Sequence, residues 1–475
     1  MKKIIKFLVF IIALVIAIPS TLGFSGAVAS ANTVTTVVSK SAFSSTASSI
    51  ISEYSAIKNR LAGSDGEKQA SVYIKNYLDN LKTTKTNLVA KNNAYIKDGE
   101  QKFTFNSKFS SIVESSQNII YTLNSNKETD KKVIIGCHYD SMAIDMDMTS
   151  ETYGKQIESE SINGSAASVA TLLAIATYLP VENLDFDVEF VFFGAGESNH
   201  AGSNYYTSGI SKEDKKNIVC MINISQVALG TDLYFYMNEI ETKSSKFVED
   251  VIYNNRVNVK KIDVSNLNKM LIAEQNELGL DYNHVALDSD NINFMKEGIE
   301  TINIFAGDYS KGVIIGRQEF AGQDLLTYTA NDSLEYIATN LPDYSVENKL
   351  YEVFNAVYST ITDNNFVSVF ESSKGSTNWF YKVFTNNTLV LYLTVVVFIV
   401  FVIVAMYIYY KLTIKAYYAN VEMEFLSSVV KITEQLDKNG KDDNVAKVVS
   451  QVIANDIKKD KVIKVKPSKK DKDDK

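Results

Sequence analysis

Short, continuous apolar runs alternate with stretches of helical periodicity through the middle of this chain. Residues 118–123, 132–137, 187–193, 217–224 and 301–305 read as strands. Runs such as Val133-Ile-Ile-Gly136 and Phe190-Val-Phe-Phe193 show no alternating polar face, as expected of strands buried on both sides. Residues 166–179, between two of these strands, read as a helix. Residues 66–82 repeat apolar positions at helical spacing through Ala70, Tyr73, Tyr77 and Leu81. The alternation predicts an α/β fold with a mostly parallel twisted sheet flanked by helices. Residues 32–50, rich in Ser, Thr, Val and Ala, read as a loose lead-in.

Two further apolar segments set the expected topology. Lys2, Lys3 and Lys6 precede or enter an apolar run over residues 4–18, and Ala29-Ser30-Ala31 has the small residues of a cleavage site. Residues 1–31 are thus read as a cleaved signal peptide, with a retained anchor as the alternative. Residues 388–410 contain no charge. As a helix they would reach about 35 Å, enough for a hydrocarbon core of about 30 Å. Lys411 and Lys415 follow at once, which places that end in the cytoplasm. The expected order is a signal peptide (1–31), an extracytoplasmic domain (32–370), a linker (371–387), a transmembrane helix (388–410) and a cytoplasmic tail (411–475). The tail has helical character as far as Leu436, a break at Asn439-Gly440, and a second short helix over 444–457. Its last residues, from Lys458, carry nine Lys and four Asp. They read as a solvated tail, with contact to anionic lipid as the alternative.

The chain of 475 residues is 45% hydrophobic, enough for a full core, and its net charge is −8. That charge argues against a nucleic-acid partner, which would require a concentrated basic face. The cysteines, Cys137 and Cys220, cannot build a disulfide framework. They read as two buried thiols or as a single bridge. The histidines are His138, His200 and His284.

Chemistry concentrates in five ordered blocks. The first is Val133-Ile-Ile-Gly-Cys-His138-Tyr-Asp140, which places an imidazole just past a buried strand with a carboxylate two residues on to orient it. The second runs from Ser161 through Asn163 and Gly164 to Ala170. The third is Phe190-Val-Phe-Phe-Gly-Ala-Gly196-Glu197, continuing to Gly202-Ser203. The fourth is Met221-Ile-Asn-Ile-Ser225, and the fifth Ser289-Asp290-Asn291 leading to Gly298. Upstream, Arg60-Leu-Ala-Gly-Ser64 and Asn118-Ile-Ile also fit. Over roughly residues 50–340 the set resembles the bacterial leucyl aminopeptidase-like family of di-zinc exopeptidases.

The resemblance implies two zinc ions at the sheet edge, held by five ligands, and a glutamate general base. Residue by residue, the implied site is degenerate. His138 and Glu197 stand at two ligand positions, with Asp140 as the orienting carboxylate. Gly164 stands at the bridging-Asp position, Ser225 at the fourth ligand position and Asn291 at the last. Gly196 stands at the general-base position. Glycine offers no donor, and neutral Ser and Asn are poor zinc ligands. No metal is therefore expected, and zinc is the metal if one is held. The expected function is that of a catalytically inactive, membrane-anchored binding or scaffolding domain with a protein or peptide partner. The alternative is an exopeptidase with a rebuilt mononuclear site, drawing on Glu158, Glu160, His200, His284, Asp288 or Asp290. In the first reading His200 and His284 are ordinary loop histidines. Residues 158–160 are then a solvated loop, Asp288 and Asp290 serve loop hydrogen bonds, and the Met-bearing stretch 142–157 helps to fill the cleft.

Overall fold

The computed structural model describes residues 38–107, 112–145, 149–180, 184–238, 242–263, 289–308, 327–374 and 388–438, with isolated positions besides. The signal segment, His284, Asp288, Met146 and Met148 lie outside the described residues. The chain divides into two units, residues 1–377 and 378–475.

In the first unit, α1 (Lys40–Ser55) and α2 (Asp65–Leu81) lead into strands β1 (Leu88–Ala90), β2 (Glu100–Asn106), β3 (Val113–Leu123) and β4 (Lys132–His138). A π-helical turn, Ile162–Ala166, runs straight into α3 (Ala167–Tyr178). Then follow β5 (Asp187–Phe193), α4 (Ala201–Ser208), α5 (Lys212–Asn217), β6 (Ile218–Ile224) and β7 (Asp232–Met237). The unit closes with α6 (Lys243–Asn254), β8 (Val259–Lys261), α7 (Asn291–Lys296), β9 (Thr301–Gly307), α8 (Leu334–Asn340), α9 (Val346–Ile361) and α10 (Phe366–Lys374).

One nine-stranded sheet runs in the order β1-β3-β5-β4-β6-β9-β7-β8, with β2 paired to β3. Its heart, β5-β4-β6-β9, is parallel. β4 and β5 hold the runs read as doubly buried, and every residue of β6 and β9, also read as strands, is buried. The margins are antiparallel, with β3 against β5 and β7 against β9. In β2 the alternation explains this: Gln101, Phe103 and Phe105 are buried while Lys102 and Thr104 face water. Helices α1, α3 and α9 cover one sheet face, and α4 and α7 the other. α3 sits between the sheet and α1, and all ten residues from Ala167 to Ala176 are buried.

Two expectations need correction. From Lys40 onward the lead-in is in fact α1: Phe43, Ala47, Ile50, Ile51 and Tyr54 are buried, and Ser39 caps its first turn by accepting from the Ala42 amide. The apolar stripe is diluted by serines in the sequence, which hid it, but its i, i+4, i+7 and i+11 spacing is helical. The linker begins later than residue 371. α10 continues through Lys374, with Phe370 and Ser373 buried and Glu371 paired with Lys131 at 2.8 Å. Cys137 and Cys220, on neighbouring strands, are both free and buried.

The second unit contains α11 (Thr388–Lys438), 51 residues of uninterrupted helix. Within it, Phe398–Lys431 is long and apolar enough to cross a membrane.

Phe43 is fully buried and packs on Phe354 at 4.8 Å between ring centroids. Phe43→Ala is therefore expected to cost about 3–5 kcal/mol of stability in denaturant unfolding. Ser41→Ala, on the exposed face of the same helix, is expected to change it by less than about 0.5 kcal/mol.

Candidate active site

The carboxyl ends of β4, β5 and β6 and the start of α3 meet at one edge of the sheet. His138, the last residue of β4, is buried, and its Nδ1 lies 3.3 Å from Asp140 Oδ1. Asp140 is fully buried and accepts from two successive amides, Gly196 at 2.7 Å and Glu197 at 3.0 Å. The two preceding amides are held as well. Ala195 donates to Glu67 Oε1 at 2.8 Å and Gly194 to Asn118 Oδ1 at 3.1 Å. Four consecutive amides after β5 thus end on buried acceptors from α2, β3 and the loop after β4. Ala195 adopts a left-handed conformation in this loop, with φ 51°.

Burial alone would lower the pKa of His138. The hydrogen bond to Asp140 and the charges of Glu197, Asp140 and Asp290 outweigh it and raise the pKa to about 10. Glu67 sits on α2, where Ser64 caps the helix by accepting its amide. Its carboxyl accepts from Gly63 N, Ala195 N and Ser116 Oγ. Burial and the Asp140 charge push its pKa up to about 8 against those donors.

The other half of the edge is a mostly neutral network. Asn163 Oδ1 accepts from the Ala228 and Leu229 amides, and its Nδ2 donates to Thr327 Oγ1. Asp332 accepts from the Asn163 and Gly164 amides at 2.7 and 3.0 Å, a carboxylate seated at the amino end of the π-turn and α3. Burial raises its pKa to about 6 against those amides and the Arg60 charge. Arg60, also fully buried, donates to the Ile57 and Glu160 carbonyls and to Ser165 Oγ. Gln226, next to Ser225, donates to the Tyr328 hydroxyl at 2.8 Å. The Ile144 amide reaches the Tyr328 carbonyl, so the loop that begins at Met142 borders this network.

The positions singled out in the sequence fall into three groups. His138, Asp140, Gly196, Glu197 and Asp290 come together. Gly164 faces Ser161 and Asp332, and Ser225 lies in the neutral half through its neighbour Gln226. Asn291 pairs with Tyr236 and Met295 instead. Glu158 is exposed, but Glu160 is not part of a solvated loop: its Oε2 accepts from Leu334 N at 2.9 Å and caps α8. His200 uses its carbonyl to accept from Asn293 and Ser203, as a loop residue does. Asp290 does not serve loop hydrogen bonds. It is fully buried, and neither carboxylate oxygen has a hydrogen-bond partner among the described residues. Glu67, Arg60, Asn118, Tyr328 and Asp332 were not assigned site roles from the sequence. Arg60 and Asn118 stood in quoted motifs without a role, and Glu67, three residues after the capping Ser64, carried a recognisable local signal.

The residues present do not fit a pair of zinc ions. A Cβ at Gly164 would lie 2.1 Å from Ser161 Oγ, so a bridging carboxylate there would have to displace Ser161. A Cβ at Gly196 would lie 2.3 Å from the Cβ of His138 and 2.7 Å from its Cγ. As arranged, a base at position 196 and the surviving imidazole exclude one another. Among the described residues, no three His, Cys, Asp or Glu side chains are placed to hold a metal ion.

Residues 118–353 match the model of peptidase family M28, so the chain carries a domain of that family there, and the resemblance read from the five blocks holds. No curated protein matches the chain. Solved structures similar to it include a Zn-dependent exopeptidase from Parabacteroides distasonis, 16% identical with a TM-score of 0.45 over 68% of this chain and 98% of that one. A zinc aminopeptidase from Bacillus subtilis is 14% identical with a TM-score of 0.45, over 66% of this chain and 94% of that one. A glutaminyl cyclase from Bacteroides thetaiotaomicron is 17% identical with a TM-score of 0.44, over 68% and 98%.

The folded pKa of His138 lies above its ordinary value near 6.5. Its contribution to stability is then complete below about pH 6.5 and is lost as the pH rises toward about 10. An NMR titration of the imidazole protons is expected to show His138 still protonated at pH 8 and shifted toward 6.5 in Asp140→Asn. A midpoint near 6.5 in the unmodified protein would refute this.

Proposed function

We propose that this peptidase family M28 domain binds a protein or peptide partner and does not hydrolyse it. In this reading residues 388–410 hold it on the outer face of a membrane and the tail beyond Lys411 lies in the cytoplasm. The observation that carries the proposal is the close approach at Gly196. The position that would supply a proton acceptor has no side chain, and the space in front of it belongs to His138. The bridging position repeats the pattern, with Ser161 Oγ in front of Gly164. Tyr328 and Gln226 join beside Ser225, a neutral contact next to a ligand position. The protein works without a resident metal in this reading.

One observation favours a second reading. The charge of Asp290 acts on His138, and its buried oxygens have no hydrogen-bond partner among the described residues. A single zinc ion shared by His138, Glu197 and Asp290 would use that carboxylate. This version requires the three groups to close on one point.

The full chain, purified in detergent, is expected to hold less than one zinc per molecule by elemental analysis. It is expected to show no chelator-sensitive turnover of aminoacyl-anilides, and Gly196→Glu alone is expected not to create any. Turnover abolished both by chelator and by His138→Ala would overturn the binding reading. If Asp290→Asn also lowered that turnover by orders of magnitude, the mononuclear reading would stand in its place.

A further inference from the structure

The sheet has one long open margin. β1 and β8, at the two ends of the strand order, have three residues each, and so short a strand offers little to pair with. β2 has seven residues and pairs only with β3. It keeps one register, from Glu100↔Ile119 to Asn106↔Val113, with no bulge, and contains no Pro.

The phase of this ladder follows from the bonds at its two ends. The Ile120 amide donates to the Gly99 carbonyl at 2.8 Å, and the Ser107 amide to the Ile112 carbonyl at 3.3 Å. Hydrogen-bonded and non-hydrogen-bonded pairs alternate in an antiparallel ladder. Gln101, Phe103 and Phe105 therefore bond to β3, while Glu100, Lys102, Thr104 and Asn106 turn their amides and carbonyls outward. Glu100 uses both on Lys97, donating to its carbonyl at 2.9 Å and accepting from its amide at 3.0 Å. The amides and carbonyls of Lys102, Thr104 and Asn106 have no partner among the described residues.

The side chains around this strand leave room for another. Lys102 is the kind of charge that guards a margin, but it is paired with Glu100 at 3.4 Å. Phe103 and Phe105 are buried. Tyr205 of α4 stacks on Phe103, with ring centroids 5.3 Å apart, and is itself exposed. A cavity of about 620 Å³ is lined by Lys102, Phe103 and Thr104 together with Lys68 of α2 and Tyr205. A second, of about 660 Å³, is lined by Glu100 and Lys102 together with Lys75 of α2.

We propose that β2 takes up an extended peptide segment of a partner as an added strand, bonded through Lys102, Thr104 and Asn106, with an apolar side chain of the segment over Tyr205. The proposal rests on the reading above that the domain binds a protein or peptide, and it names the surface and the form of that partner. The open groups select the occupant. Amides and carbonyls that recur at every second residue match another extended backbone. A helix bonds its own backbone groups internally and leaves none for this margin. A second copy fits poorly. Phe103 and Phe105 of its own β2 are already buried in its fold, so it brings no side chain to Tyr205. A segment that is not yet folded has all its side chains free.

Random peptides are selected on the full chain in detergent, and the affinity of the enriched peptides is measured. Proline at 104 removes one outward amide and no bond to β3, a place where a marginal strand tolerates it. Thr104→Pro is expected to melt as the unmodified chain does and to bind the peptides at least about tenfold more weakly, while Thr104→Ala binds them unchanged. N-methylation along an enriched peptide is expected to abolish binding at alternate residues and to be harmless between them. That alternation reports strand addition even where Thr104→Pro does not fold. In the free chain the amides of Lys102, Thr104 and Asn106 are expected to exchange rapidly with deuterium, and to slow when peptide is added. No enrichment, or binding indifferent both to Thr104→Pro and to N-methylation, would overturn the added strand while leaving the binding reading standing. Slow exchange in the free chain would overturn it in favour of a segment of the chain itself. A dimer that Thr104→Pro dissociates would overturn it in favour of a second copy. Chelator-sensitive cleavage of the peptides would overturn the binding reading on which the proposal rests.

Discussion

The sheet edge depends on the grip around residues 194–197. Four successive amides leave β5 with no strand partner, in a turn that Ala195 enters at positive φ. Each would cost about 1–3 kcal/mol if buried unmade. Asn118, Glu67 and Asp140 accept all four, and they come from three separate parts of the chain. The turn is therefore fixed by the fold around it and needs no ion. Asn118 also donates to the Gly202 carbonyl at 2.9 Å, which ties α4 to the same point. The placement of His138 and Glu197 follows, since Asp140 touches the imidazole with the carboxylate that receives the Gly196 and Glu197 amides.

That grip also sets the electrostatics of the edge. Asp140, Glu197 and Asp290 act together on a single buried imidazole. Protonated, the imidazole supplies a positive charge to this group. On the other half, Asp332 is spent on amides at the start of α3, and Asn163 and Gln226 bind neutral partners.

The parallel heart of the sheet was legible because a doubly buried strand is mostly apolar on both faces, as β4, β5, β6 and β9 are. α3 was legible for the same reason, being buried all round. α1 was not, because serines between Phe43 and Ile50 dilute its stripe, and a stripe becomes visible only once the residues it packs against are known. β2 belongs to an antiparallel margin, where alternate positions face water and the run loses its contrast. In the site, residues that lie in the ordered blocks were found: His138, Asp140, Gly196 and Glu197. Glu67 and Asp332 escaped because they act on backbone amides far away in sequence. A helix-capping residue and a carboxylate in an Asn-Asp-Ser turn look ordinary until the fold brings residues 163 and 195 to them.

Backbone strain is distributed in the same way. Of the nine non-glycine residues at positive φ among the described residues, six border this edge: Ser161, Ala195, Asn199, His200, Gln226 and Tyr328. Such conformations cost of order 1–3 kcal/mol where nothing compensates them, and they persist only where the surroundings determine them. Here the compensation is visible in the Asp140 and Glu67 grip, the Asn163 and Asp332 network and the Gln226–Tyr328 contact. The space before Gly196 is taken by the imidazole that the same grip positions. The edge is thus a set of strained turns held by buried acceptors, with Arg60 and Asp332 among neutral partners over one half and His138 among carboxylates over the other.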